Sequence, residues 1–118
     1  QEQSDGVAAS YNIRFEGNPG TGKTTIARHY GCFLQQLSIL PEGSIFKETS
    51  GARLINDGIS GLTGILDNIK AAGGGVLFVD EAYQLVTDRE GKKVLDFILP
   101  LAESLDSDYG SLVWGFAG

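Results

Sequence analysis

Residues 17–25 read "GNPGTGKTT", and the fold turns on what this stretch is for. Gly17, Gly22, Lys23 and Thr24 match the pattern G-x-x-x-x-G-K-[ST], with Asn18, Pro19, Gly20 and Thr21 between the glycines and Thr25 just after. A loop that wraps a phosphate chain must turn several backbone N–H groups inward. Glycine permits both the backbone angles and the close approach. A helix beginning here adds unsatisfied amides and the positive end of its dipole. Lys23 then reaches the outer phosphates, and the Thr24 hydroxyl ligates Mg²⁺. The plain alternative is a glycine-rich turn, but with glycine at about 7% of average sequence a chance match is rare, roughly a few per thousand. A dinucleotide fingerprint would need a third glycine where Thr25 stands, which disfavours a nicotinamide cofactor.

The flanks agree with this reading. "YNIRFE" (11–16) alternates polar and apolar positions and predicts a short strand running into the loop. From Gly22, the spacing of Ile26, Tyr30, Phe33, Leu34 and Leu37 predicts a helix with these residues on one face, ended by Pro41. "SIFKET" (44–49) predicts a second strand, and the Asn-Asp-Gly content of "INDGISG" (55–61) predicts a loop. Leu62, Ile65, Leu66 and Ile69 then mark another amphipathic helix, closed by three glycines at 73–75. Val76 to Val79 form a continuous apolar run, the mark of a strand buried on both faces. A helix over about 91–105 turns Val94, Leu95, Ile98, Leu101 and Leu105 inward, and Pro100 should kink or split it. "SLVWGFAG" (111–118) is a last strand. Strands alternating with helices imply right-handed crossovers, hence an α/β fold: a P-loop NTPase parallel sheet with flanking helices.

Asp80 and Glu81 close the apolar strand. In a parallel sheet all strand C-termini share one edge, so the pair can face the phosphate loop. Asp80 is placed to hold Mg²⁺ through water, and Glu81 to polarise a water attacking the outer phosphate. An acidic strand end that merely caps the next helix is the competing reading, and the phosphate loop decides against it.

Composition excludes several classes. The chain of 118 residues suits one domain, and its 42% hydrophobic and 20% charged residues are globular rather than disordered. A net charge of −6 carries no general footprint for nucleic acid. No apolar run approaches the ~20 residues of a bilayer span and no signal-peptide pattern opens the chain, so the expectation is an intracellular, cytoplasmic protein without membrane partners. Cys32 is the only cysteine, which leaves no internal disulfide and suggests a buried thiol. Residues 1–10, "QEQSDGVAAS", read as a flexible lead-in, and the chain, opening on Gln1, as a piece of something longer.

"GNPGTGKTTIAR" (17–28) followed by "GGGVLFVDEAYQL" (73–85) resembles the CbxX/CfqX group of AAA+ ATPases, from about Tyr11 to Gly118. The resemblance implies an ATPase core that assembles into a ring and couples hydrolysis of ATP to remodelling a protein client. It makes residues 17–25 the Walker A loop and Asp80 and Glu81 the Walker B pair. Such proteins carry an aromatic residue that grips the client in the pore, in the loop after the second strand. The matching "LINDGISG" (54–61) has none, and Gly58 stands at that place. The group also continues past the last strand with a sensor, arginine fingers and a helical lid, so the chain reads as a partial core, 1–118, truncated before the last strand and lid. On that ground the alternative function is a nucleotide-binding module that binds ATP with little turnover alone. A GTPase would need an N-K-x-D motif, which is absent, and a superfamily 1 helicase would need a far longer chain. His29 reads as a solvated or partly buried helix residue, Arg89 as a surface charge just after the acidic pair, Lys92 and Lys93 as a solvated helix start, Trp114 as core, and Tyr83 as a packing residue with a place near a subunit edge as the alternative.

Overall fold

The structure, a computed structural model, describes residues 10–17 and 22–118. Four strands run parallel: β1 (Ile13–Phe15), β2 (Ile45–Ser50), β3 (Gly74–Asp80) and β5 (Gly110–Ala117), in the spatial order β1-β5-β3-β2. A two-residue strand, β4 (Asp106–Ser107), pairs antiparallel with the start of β5 as a hairpin. The helices are α1 (Lys23–Gln36), α2 (Gly51–Ala71), α3 (Gln84–Thr87) and α4 (Arg89–Ala102). The expected α/β architecture is present.

The alternation of side chains along β3 and β5 builds two cores. Leu77, Val79, Leu112 and Trp114 point to one face, where Leu54, Leu62, Leu66 and Ile69 of α2, Leu85 of α3, and Val94 and Ile98 of α4 meet them. Val76, Phe78 and Val113 point to the other, against Ala27 and Leu34 of α1. Residues 75–79 of β3 are therefore buried on both faces, as a continuous apolar run requires.

Several local expectations are corrected. α1 forms, but only part of its apolar stripe faces the sheet: Leu34 is buried and Tyr30 packs beside it, whereas Ile26 is 54% exposed, and Phe33 and Leu37 are exposed too. The buried positions are Lys23, Ala27, Gly31 and Leu34. Gly31 explains the rotation, since a Cβ there would lie 3.1 Å from Val76 Cγ2. Small residues let the helix backbone approach β3. The helix also ends at Gln36, ahead of Pro41, and Ser38 takes a left-handed φ of 61°.

"INDGISG" is not a loop. It lies within α2, interrupted at Gly58 alone, where φ 71° and ψ −169° break the helical path. The first half starts because Ser50 caps it, its hydroxyl accepting from the Arg53 N–H at 3.1 Å. Leu54 anchors it in the core. Pro100 neither splits nor ends α4, which runs on to Ala102: so near the C-terminus the missing N–H costs a single helical bond. Leu105 lies beyond that helix, where its carbonyl accepts from Leu112 N–H at 2.7 Å. Cys32 is exposed rather than buried, on the solvent side of α1.

Candidate functional site

Register places the site. Phe15 lies opposite Ala117 across β1 and β5, Val79 opposite Phe116 across β3 and β5, and Ser50 opposite Asp80 across β2 and β3. The C-terminal ends of all four strands therefore reach one row, with β5 between the strand leading to the glycine loop and the strand bearing the acids. Two strand spacings separate them, roughly 10 Å at the backbone, a gap a phosphate chain with its cation can bridge. Main-chain bonds tie this row together: Ala82 N–H donates to Ala117 O at 2.9 Å and Gly118 N–H to Phe15 O at 3.2 Å.

Of the expected phosphate loop, Gly17, Gly22, Lys23, Thr24 and Thr25 are described; Asn18, Pro19, Gly20 and Thr21 lie outside the described residues. Gly17 and Gly22 have φ of 135° and 83°, both in the region that favours glycine. Gly22 is the residue before α1, and no side chain caps that helix end among the described residues. A helix start of this kind offers unsatisfied amides to an anion. Lys23 is only 8% exposed, and its Nζ donates to Gly17 O at 3.3 Å. No carboxylate among the described residues lies within ion-pair reach of it. A buried cation without countercharge is costly, and a phosphate entering the loop would supply that charge. Thr24 is half-buried and Thr25 exposed on the first turn.

Asp80 ends β3 half-buried, its Oδ1 accepting the Glu81 N–H at 2.9 Å. With Glu48, Thr49, Ser50 and Arg53 it lines a recess of about 380 Å³ beside the end of β2. Glu81 takes a φ of 50°, unusual for a residue with a side chain and worth about 1–2 kcal/mol of strain. A Cβ on Gly51 would meet Glu81 O at 2.5 Å, so the first residue of α2 is pressed against this turn. Among the described residues no group of three or more His, Cys, Asp and Glu could hold a metal. Tyr83, expected to pack, is exposed and lines an apolar groove with Val86, Leu95, Leu99 and Phe116. Arg89, Lys92, Lys93 and His29 are exposed, and Trp114 is fully buried, as expected.

Two site neighbours escape the sequence reading. Asn12 holds β1 in place: its Oδ1 accepts from Trp114 N–H at 2.9 Å and its Nδ2 donates to Ala102 O at 2.6 Å. Gln84 donates from Nε2 to Glu81 Oε1 at 3.4 Å. Neither sits in a pattern that names a role.

Residues 13–117 match the model of the "ATPase family associated with various cellular activities (AAA)". The chain belongs to this AAA family. It is 34% identical over 110 residues to stage V sporulation protein K of Bacillus subtilis, covering 90% of this chain and 34% of that protein. It is 34% identical over 122 residues to the chloroplastic ribulose bisphosphate carboxylase/oxygenase activase of Cyanidioschyzon merolae, covering 96% of this chain and 37% of the relative. Over 85 residues it is 42% identical to the ESX-1 secretion system protein EccA1 of Mycobacterium leprae, covering 70% of this chain and 14% of that one. The AAA chain thus spans about a third of the first of these relatives and less of the last. Among its described residues no helix is long and apolar enough to cross a membrane.

Proposed function

We propose that this AAA domain binds Mg·ATP at Gly17–Thr25 and hydrolyses it, as one subunit of an assembly that remodels a protein client. The observation that carries the reading is Lys23: a buried lysine without a carboxylate partner among the described residues, at the start of a helix on the sheet edge that also bears Asp80. The backbone amides and Lys23 would hold the phosphates, and Thr24 and Asp80 the Mg²⁺, which neutralises charge on the outer phosphates when bound. Glu81 would orient the attacking water and take its proton.

Calorimetric titration with Mg·ATP tests the binding step. Lys23→Ala should weaken binding at least about 100-fold, roughly 3 kcal/mol. Glu81→Gln should keep the affinity and lower the single-turnover rate by about 10²–10⁴. Equal affinity in wild type and Lys23→Ala would sink the phosphate site, and normal hydrolysis by Glu81→Gln would remove Glu81 as the base. Tight binding with negligible turnover in the wild type would favour the second reading, a nucleotide-binding module.

A further inference from the structure

The turn after β3 holds a contact that the phosphate reading does not use. Glu81 sits in a left-handed backbone conformation, φ 50°, and Gln84 closes the turn on it twice. The Gln84 backbone N–H donates to Glu81 O at 3.2 Å, and its side-chain Nε2 donates to Glu81 Oε1 at 3.4 Å. A carboxylate can only accept, so the nitrogen end of the amide must be the one facing it. The other end, Gln84 Oε1, is buried and has no partner among the described residues. Gly51 packs on the same two groups: a Cβ there would meet Glu81 O at 2.5 Å and Gln84 Cβ at 3.1 Å. Among the described residues no donor lies within reach of the second Glu81 oxygen, Oε2.

We infer that Gln84 is a positioning residue for Glu81: its amide holds Oε1, fixes the carboxylate plane and leaves Oε2 as the oxygen that meets water. A carboxylate on a strained turn would otherwise rotate freely, and small misplacements of a reacting group are expensive in rate. The orphaned Oε1 fits this role, since buried polar groups left unsatisfied are uncommon and call for a reason. Gln84 is held in that cost by the pull of Glu81 on its other end and by Gly51 behind it. The inference rests on Glu81 being the base, so its test must separate the two.

Two measurements do so on the full chain. The first needs no turnover: the side-chain amide of Gln84 is followed by nitrogen-15 NMR in wild type and Glu81→Ala. The contact predicts that the Gln84 amide signal moves and exchanges faster with solvent in the variant; an unchanged signal overturns the contact. The second is a double-mutant cycle with Gln84→Met, which keeps the length and removes the donor. Gln84→Met should lower kcat about tenfold while leaving the Mg·ATP dissociation constant within about twofold, and Gln84→His, which restores a ring N–H, should recover part of the rate. In the Glu81→Gln background, Gln84→Met should cost nothing further, because the group it positions is gone. Losses that add in the cycle, or a weakened dissociation constant, assign Gln84 to the scaffold and overturn the proposal. Absent turnover in every variant overturns the hydrolytic reading of Glu81 instead, and the NMR result alone then decides the contact.

Discussion

Asn12 carries more of the site than its place in the chain suggests. β1 has three residues, and its ladder with β5 begins only at Ile13 opposite Gly115. One residue earlier, the Asn12 side chain takes the place of a strand partner: it accepts the Trp114 N–H and donates to the end of α4. Removing it leaves a buried N–H on the central strand unsatisfied, a cost of about 1–3 kcal/mol. Asn12→Ala should therefore lower stability by that amount in urea, and loosen the short strand that delivers Gly17 to the site. Asn12→Asp keeps the acceptor and loses the donor, so its loss should be smaller. Equal stability of all three forms would mean that water or the neighbouring backbone replaces the amide. None of this was legible beforehand. Lys23, Asp80 and Glu81 stand out because a phosphate site of the proposed kind calls for those residue types at those places, whereas an asparagine bridging two elements looks like any polar residue before a strand.

Elements were legible in proportion to how strongly hydropathy alone marks them. Val76–Val79 reads as a doubly buried strand because nothing else puts four apolar residues in a row before two acids. The buried side of α1 is legible only at Leu34 and Tyr30, because Ala27 and Gly31 make its closest approach and small residues leave no signal beside Ile26, Phe33 and Leu37. The two residues of β4 and the four of α3 are too short to show a period. α2 was half hidden, since Asn56-Asp57-Gly58 carries the composition of a turn and yet sits within one element. Here the turn signal was right at one residue: Gly58 has a φ of 71°, and helix resumes on both sides. A side chain at that angle is strained although the space around it is open. Gly58→Ala should therefore destabilise the domain by about 1 kcal/mol. The same change should either straighten α2 or leave its break in place, which far-UV circular dichroism distinguishes by helical gain. A neutral or stabilising Gly58→Ala would mean that the break is not fixed by backbone preference, and that the first half of α2 samples a straight helix already.

At the scale of the molecule, β3 and β5 are the walls of both cores. Leu77 and Trp114 face α2 and α4, while Phe78 and Val113 face α1. Gly17 follows β1 and Lys23 opens α1, while Asp80 ends β3, so the proposed site stays assembled only while both layers stay on the sheet. Because the layers share their strands, neither can melt alone without exposing the other's wall. Leu77→Ala opens a cavity toward α2 and α4, Phe78→Ala one toward α1, and each should cost about 2–5 kcal/mol. Both should lower one common urea transition rather than split it. Trp114, buried and stacked on Phe116 with ring centroids 5.8 Å apart, reports the α2–α4 side by fluorescence. Far-UV circular dichroism reports all helices, α1 included. For Phe78→Ala the discriminating result is in the timing. If the two layers form one cooperative unit, the fluorescence and dichroism midpoints coincide although the cavity lies on the face opposite the tryptophan. A dichroism loss that precedes the fluorescence change would mean that α1 leaves first. In that case Lys23 detaches while the acids remain in place, and the proposed nucleotide affinity of the variant should fall before the fold does.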